Sequence, residues 1–112
     1  MKKVLIIDDE EDICLLLKSQ LTRKAYEVQY ALSLQDGLKQ MEDFAPAILI
    51  LDNNLPDGMG IETLPVLKKK YPDTRLLVIS AYTSLIDQAI RNGADAFISK
   101  PFNFATIIGQ LA

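Results

Sequence analysis

The sequence predicts an α/β protein in which five parallel strands form one sheet with helices on both faces. Three observations lead to this class. Short aliphatic runs alternate with amphipathic segments five times along the chain, as in repeated strand–helix units. The runs are apolar at almost every position, which is typical of strands buried on both faces. Four of the five runs end directly at polar residues, so one edge of the sheet is predicted to be chemically distinct.

The first strand and helix follow from the N-terminal pattern. The run KVLII, Lys3–Ile7, is the first strand, and the acidic stretch DDEED follows it. Acidic residues favour a helix N-terminus because they interact with the helix dipole. The predicted core-facing stripe of that helix is Ile13, Leu16, Leu17 and Leu21. The next run, YEVQY at 26–30, alternates apolar and polar residues, which indicates a strand nearer the sheet edge.

The middle of the chain adds two helices and the third strand. A capping box formed by Ser33 and Asp36 is expected to open the second helix. The inward residues of that helix are Leu34, Leu38 and Met41. The run AILIL forms the third strand, which ends at Asp52. The inward residues of the third helix are Ile61, Leu64 and Leu67. Pro65 is expected near the first turn of this helix, where proline is tolerated.

The C-terminal part repeats the alternation twice. RLLVIS is the fourth strand, Ser84 and Asp87 are expected to open the fourth helix, and Gly93 is placed to end it. AFIS is the fifth strand, and the last helix is predicted to begin near Asn103. The core-facing residues of this helix are Phe104, Ile107, Ile108 and Leu111. Because the helix stops early at Ala112, we expect residues 1–112 to be a single domain whose last helix is truncated.

Composition limits the classes of function. The 112 residues are 49% hydrophobic and 24% charged, with a net charge of −3, which is typical of one compact globular domain. An acidic chain lacks the basic surface that nucleic-acid phosphates require, so we expect no direct nucleic-acid binding. The apolar runs are too short to span a bilayer, and the acidic N-terminal stretch does not resemble a signal peptide. The chain is therefore expected to be cytoplasmic and not membrane-bound.

Histidine and cysteine chemistry are both limited. The chain has no histidine, so it has no imidazole base for a serine-type catalytic triad. Its single cysteine, Cys14, cannot form an internal disulfide. It lies on an apolar helix face and is predicted to be a small core residue.

The polar strand ends are predicted to meet at one edge of the sheet. In an open α/β sheet, ligands bind beyond the carboxyl ends of the strands, where the strand order reverses. Right-handed crossovers in the doubly wound, flavodoxin-like order 2-1-3-4-5 place strands one and three side by side. The polar residues that follow the strands are Asp8, Asp9, Asp52, Ser80 and Lys100. We therefore expect three carboxylates, a hydroxyl and an ammonium group to converge there.

This set of side chains indicates phosphoryl transfer. Three adjacent carboxylates repel one another, and a hard divalent cation relieves that repulsion. A small oxygen site suits Mg²⁺, or Mn²⁺ in its place, better than an all-protein Ca²⁺ cage. The Lys100 ammonium and the Ser80 hydroxyl can both donate to phosphoryl oxygens. Asp52 is then the predicted nucleophile.

Four motifs, IIDDEED, LDNNLPDGMG, VISAY and ISKPF, follow one another along nearly the whole chain in a recognisable order and spacing. With them the sequence resembles the receiver domain of bacterial two-component response regulators. The resemblance implies a signalling phosphoacceptor, which catalyses only its own phosphorylation and dephosphorylation. It also implies a phosphoryl donor, either a sensor histidine kinase or a phosphotransfer protein. Phosphorylation would then switch an output domain in the same chain or a separate partner protein.

The resemblance further implies roles for the residues at the carboxyl edge. Asp52 would be the phosphoacceptor, and Lys100 would bind the phosphoryl group. Asp9, Asp52 and the Asn54 backbone carbonyl would ligate Mg²⁺, with Asp8 acting through a bound water. These assignments concern one small site between the first, third and fifth strands.

The resemblance also implies a conformational switch. Ser80 would be the switch hydroxyl and Phe97 the switch aromatic, and the peptide before Pro101 would be cis. Asn54 and Tyr82 would tune the lifetime of the aspartyl phosphate. The chain departs from the family at Asn53, which is polar where many receivers carry an apolar or aromatic residue.

Other functions compete with this interpretation. A haloacid-dehalogenase-like phosphatase would need a second aspartate at Asn54, and a flavodoxin-like electron carrier would need a phosphate loop in place of DDEED. An EF-hand starting at Asp52 fails at Pro56 and lacks its glycine at Asp57. A pseudo-receiver, which binds partners without phosphate turnover, stays as the alternative. A homodimer through the face of helix four, strand five and helix five is a further expectation.

Overall fold

A computed structural model describes residues 1–111, and five parallel strands form its main sheet. The strands of the chain are β1 (Lys3–Ile7), β2 (Glu27–Ala31), β3 (Ile48–Asp52), β4 (Asn54–Leu55), β5 (Gly58–Met59), β6 (Arg75–Ser80) and β7 (Ala96–Ser99). The main sheet has the order β2-β1-β3-β6-β7, and β4 and β5 form a separate antiparallel hairpin. With the hairpin left aside, this is the predicted order 2-1-3-4-5, so the flavodoxin-like α/β fold is confirmed.

Within the described residues 1–111, five α-helices cover the two faces of the sheet. They are α1 (Glu11–Arg23), α2 (Leu34–Phe44), α3 (Gly60–Lys70), α4 (Ile86–Asn92) and α5 (Phe104–Leu111). Helices α1 and α5 pack on one face, and α2, α3 and α4 pack on the other. Within residues 1–111, no helix has both the length and the hydrophobicity needed to cross a bilayer.

The central strands separate two apolar cores. Alternate side chains of a strand point to opposite faces, so Leu5 and Ile7 join the core under α2–α4. Val4 and Ile6 join the core under α1 and α5. Each fully buried aliphatic side chain stabilises the fold by about 1.5–3 kcal/mol. The ends of β1 and β3 are therefore held rigidly by apolar packing on both sides.

The prediction that Leu16 and Leu38 face the core is wrong. Leu16 on α1 is 59% exposed, and Leu38 on α2 is 38% exposed. In α1 the buried residues are Cys14, Leu17 and Leu21, spaced three and four apart. The sheet thus contacts a narrower face of each helix than the spacing of aliphatic residues indicates.

Most helix boundaries follow local capping signals. Ser33 Oγ accepts a hydrogen bond from the Asp36 N–H at 3.2 Å, as predicted for the start of α2. Gly93 ends α4 with a φ of 117°, a conformation that favours glycine. The predicted start of the fourth helix at Ser84 is wrong, because a 3₁₀ turn at Thr83–Leu85 precedes α4 without a side-chain cap.

Pro65 lies deeper in its helix than expected. It is the sixth residue of α3, which begins at Gly60, so it lies beyond the first turn. Proline has no N–H, which leaves the Ile61 carbonyl without its usual helical donor. The Asn92 side chain donates to that carbonyl at 3.1 Å. A residue of α4 therefore replaces the hydrogen bond that the proline removes from α3.

Candidate phosphoryl-transfer site

Strand register brings two carboxylates together at the carboxyl edge of the sheet. Ile7 of β1 pairs with Leu51 of β3, so the next residues, Asp8 and Asp52, lie side by side. Both are almost completely buried, with exposures of 0% and 4%. Two adjacent buried carboxylates are unfavourable unless a cation lies close to them.

Lys100 provides that cation from the loop after β7. Its Nζ lies 3.1 Å from Asp8 Oδ2, 3.4 Å from Glu10 Oε1 and 3.5 Å from Asp52 Oδ1. The Lys100 N–H donates to the Ser80 carbonyl, which fixes the loop against β6. The peptide bond between Lys100 and Pro101 is cis, as expected. One ammonium group therefore contacts three carboxylates at this edge.

The electrostatics of the site are dominated by burial. Burial and the neighbouring Asp8 charge raise the pKa of Asp52 from 3.8 to about 6, although Lys100 acts in the opposite direction. Burial also raises the pKa of Asp8. Burial alone would lower the pKa of Lys100, but Asp52, Asp8 and Glu10 together raise it. Above about pH 6 the ionised Asp52 thus adds a negative charge beside Asp8 and Lys100.

A cluster of acidic residues beside this ion pair is suited to a divalent cation. Ligand oxygens of Asp8, Asp9 and Glu10 all lie within 4.8 Å of one another. Hard cations such as Mg²⁺ prefer oxygen ligands of this kind. Glu10 was predicted only as part of a helix start, and its position directly after two aspartates is the signal that could have identified it. The oxygens of this cluster therefore suit a hard divalent cation, although two of the predicted ligands, Asp52 and the Asn54 carbonyl, are not among its members.

A polar cavity of about 260 Å³ opens onto these groups. Its walls are formed by Asp9, Glu10, Asp52, Asn54, Ala81, Tyr82 and Lys100. Asn54 and Tyr82 are both exposed, and Tyr82 is 58% accessible. A larger cavity of about 560 Å³ beside α1 shares Glu10 and Lys100, but apolar side chains form most of its wall. The smaller cavity is therefore the better candidate for phosphoryl chemistry.

The expected switch residues lie next to the cavity and do not form its wall. Ser80 is buried, and its Oγ accepts a hydrogen bond from the Tyr82 N–H at 3.1 Å. Phe97 is half-buried and packs against the α2–α4 core. Val78 pairs with Phe97 and belongs to the same core, and Ser80 lies two residues further along β6. Ser80 and Phe97 therefore share one face of the sheet.

Two structural roles near the site were missed by sequence reasoning. The Asn53 side chain is fully buried, and its Oδ1 accepts a hydrogen bond from the Ile61 N–H at 3.1 Å. Both carboxylate oxygens of Asp57 accept backbone N–H bonds at the start of α2, at 2.8 and 2.9 Å. The segment between β3 and α3 is thus tied to two helix N-termini. Only the unusual polarity of Asn53 gave a signal in the sequence.

Cys14 is confirmed as a core residue. It is buried, and its thiol donates to the Asp8 carbonyl at 3.4 Å. Burial is the main cause that raises its pKa to about 12. A thiol with such a pKa is a poor nucleophile at neutral pH, so Cys14 supports the backbone at Asp8 without reacting.

Comparison with known proteins assigns this geometry to a family. A family model described as the response regulator receiver domain matches residues 4–112. The chain belongs to this family. The receiver domain is 35% identical over 104 residues to the alkaline phosphatase synthesis transcriptional regulatory protein PhoP of Bacillus subtilis. That match covers 91% of this chain and 43% of PhoP, so the chain spans less than half of that relative.

Two further similarities bear on the site and on chain length. The receiver domain is 30% identical over 113 residues to the chemotaxis protein CheY of Thermotoga maritima, covering 98% of this chain and 94% of CheY. A solved structure of a response regulator from Burkholderia pseudomallei has a TM-score of 0.92 and 30% identity. The match covers 100% of this chain and 67% of the Burkholderia chain. That structure is described with a phosphorylated aspartic acid, a calcium ion and citrate.

Proposed function

We propose that this receiver domain, residues 1–112, accepts a phosphoryl group on Asp52 from a sensor histidine kinase or a phosphotransfer protein. The observation that carries the proposal is the position of Asp52. It ends β3, is almost completely buried, lies 3.5 Å from the Lys100 ammonium and opens onto the polar cavity. The phosphorylated aspartic acid of the similar Burkholderia structure supports the same chemistry here.

The residues at the cavity suit in-line phosphoryl transfer. An Asp52 carboxylate oxygen attacks phosphorus as the bond from phosphorus to the histidine nitrogen of the donor breaks. The donor nitrogen keeps the electron pair of that bond. Asp52 must be ionised to attack, and it is ionised above about pH 6. Lys100 turns from its carboxylate partners to the phosphoryl oxygens and balances the charge that the phosphoryl group brings.

A divalent cation belongs to the proposed site. Asp9, Asp52 and the Asn54 backbone carbonyl would hold Mg²⁺ or Mn²⁺, and Asp8 would act through a bound water. The cluster formed by Asp8, Asp9 and Glu10 supports a cation next to the two aspartates, and the calcium ion of the Burkholderia structure supports a divalent cation in general. When bound, the cation supplies charge neutralisation at the phosphoryl oxygens.

Phosphorylation is proposed to change the face formed by α4, β7 and α5. The Ser80 hydroxyl would leave the Tyr82 N–H and bond a phosphoryl oxygen. The space that it leaves on that face of the sheet would admit the Phe97 ring. The added phosphoryl charge would thus shift the equilibrium between two conformations of this face. Asn54 and Tyr82, which line the cavity, would control how long the phosphorylated state lasts.

Two kinds of relative support the proposed partners. The match to less than half of PhoP supports an output domain in the same chain, and the match to nearly all of CheY supports a separate partner protein. A cytoplasmic location is part of the same proposal. The changed α4–β7–α5 face is the proposed contact surface for either partner, or for a second copy in a homodimer. Direct nucleic-acid binding by this domain is not expected.

Intact-protein mass spectrometry tests the proposal. Incubation with a small phosphodonor and Mg²⁺ should add about 80 Da, the mass of one phosphoryl group. Asp52→Asn should stay unmodified, whereas Asp43→Asn, at an exposed carboxylate of α2, should be modified like the wild type. An unchanged wild-type mass would instead support the pseudo-receiver alternative, in which the domain binds partners without turning over phosphate.

A further inference from the structure

Asn53 is an amide held rigidly between the phosphoacceptor and α3. It is fully buried, although it lies in the turn that follows β3. Its backbone N–H donates to the Ile79 carbonyl at 3.3 Å, and its carbonyl accepts from the Gly60 N–H at 2.9 Å. Its side-chain Oδ1 accepts from the Ile61 N–H at 3.1 Å. A buried amide with these partners has one orientation.

The orientation of Asn53 determines what its other end contacts. A backbone N–H can only donate, so the atom facing Ile61 must be the amide oxygen. The NH₂ end of Asn53 then faces Asn54, and its Nδ2 donates to Asn54 Oδ1 at 3.4 Å. This bond is long, so its contribution is at the weak end of the range for neutral hydrogen bonds.

Asn54 in turn lines the cavity that holds the phosphoacceptor. It is exposed and shares the cavity wall with Asp52 and Lys100. Because its Oδ1 is engaged by Asn53, its Nδ2 is the free end of the amide. Among the hydrogen bonds of residues 1–111, none uses this Nδ2. The Asn54 side chain is thus held at the cavity by one bond from a buried neighbour.

We propose that Asn53 is a positioning residue for Asn54 and that it slows hydrolysis of the phosphorylated Asp52. This inference rests on the proposed phosphoacceptor function. In hydrolysis, a water oxygen bonds to phosphorus as the bond from phosphorus to the Asp52 oxygen breaks. Inorganic phosphate and a proton are released, and the carboxylate is restored. A held Asn54 side chain limits the access of that water, and a released one leaves the cavity wall.

A double-mutant cycle tests the coupling between the two asparagines. The wild type, Asn53→Leu, Asn54→Ala and the double variant are phosphorylated with a small phosphodonor and Mg²⁺, and the donor is then removed. Intact mass is followed with time to give the dephosphorylation rate constant. Asn53→Leu removes the bond to Asn54 and the bond from the Ile61 N–H, and it should raise this constant about two- to fivefold, the effect expected for loss of the weak bond to Asn54. In the Asn54→Ala background the same substitution should have no effect.

A second variant separates positioning from helix capping. Asn53→Asp keeps an oxygen acceptor for the Ile61 N–H and removes the donor to Asn54. If Asn53→Leu does not fold, Asn53→Asp takes its place in the cycle. The positioning role would be overturned by an unchanged or smaller dephosphorylation rate constant, or by an equal change in both Asn54 backgrounds. The phosphoacceptor function would not be affected by these results. Absence of any added mass on the wild type would overturn the phosphoacceptor function as well.

Discussion

The burial of Asp52 predicts that removing its charge stabilises the protein when no metal is bound. The fold raises the Asp52 pKa from 3.8 to about 6, so the native state binds a proton more strongly than the unfolded chain does. The stability of the wild type therefore decreases as the pH rises through this window and stays lower above it. The substitution Asp52→Asn removes this penalty and leaves a neutral amide of similar shape.

The magnitude follows from the size of the shift. A shift of about two pKa units corresponds to about 3 kcal/mol at high pH, since each unit is worth 1.36 kcal/mol. Lys100 loses one partner in the variant and keeps Asp8 and Glu10 at 3.1 and 3.4 Å, which offsets part of the gain. We expect Asp52→Asn to be more stable by about 1–3 kcal/mol near pH 8, with the difference approaching zero near pH 4.

Urea unfolding in the presence of a chelator measures this difference. Circular dichroism is the suitable signal, because the chain contains no tryptophan. Asp43→Asn serves as the control for removal of an exposed carboxylate. Mg²⁺ should then stabilise the wild type more than the variant, by about 1.4 kcal/mol when its concentration is tenfold above the dissociation constant. A stability difference that does not change between pH 4 and pH 8 would refute the reasoning.

Three further predictions concern residues that hold the site in place. Gly60→Ala should destabilise the protein by about 1–3 kcal/mol in urea unfolding, because its Cβ would lie 2.5 Å from the backbone oxygen at the end of β3. Gly109→Ala, where a Cβ meets open space on α5, is the matched control and should not destabilise. Asp57→Asn should lower the melting temperature at neutral pH. Backbone N–H bonds lower the Asp57 pKa, so this difference should vanish as the wild-type carboxylate is protonated below about pH 4. Asn92→Ala should lower the free energy of unfolding in urea by about 1 kcal/mol, and by less in a Pro65→Ala background, where α3 regains its own N–H donor. An equal loss in both backgrounds would contradict the idea that Asn92 replaces the hydrogen bond removed by Pro65.

Local patterns in the sequence were sufficient to identify the five strands of the main sheet, whereas the short β4–β5 hairpin was not predicted. The strand order was predicted correctly, because right-handed crossovers in a doubly wound sheet leave few alternative orders. The register of adjacent parallel strands then brings Asp8 beside Asp52, because each directly follows a paired position. Lys100 reaches the same edge because all parallel strands end there. The roles proposed for these residues in phosphoryl transfer stay predictions.

Helix faces were less well determined by local pattern. The stripe of aliphatic residues at helical spacing is wider than the face of each helix that contacts the sheet, so Leu16 and Leu38 stay exposed. The start of α4 was also misplaced, since the 3₁₀ turn before it has no side-chain cap. For Leu16 and Leu38, packing of the helix against the sheet decides between positions that the sequence makes nearly equivalent.

The sequence by itself determined the alternation of strands and helices and the polar residues at the sheet edge. Only the tertiary structure decided the bonds that fix this edge. Asn53 accepts a hydrogen bond from Ile61, which is eight residues away in the sequence. Asp57 accepts one from the start of α2, 23 residues away, and Asn92 donates one to α3 over a separation of 31 residues. Such bonds depend on how whole elements pack, and no local pattern encodes that distance. Periodicity therefore predicts the elements, and their packing selects which polar groups meet.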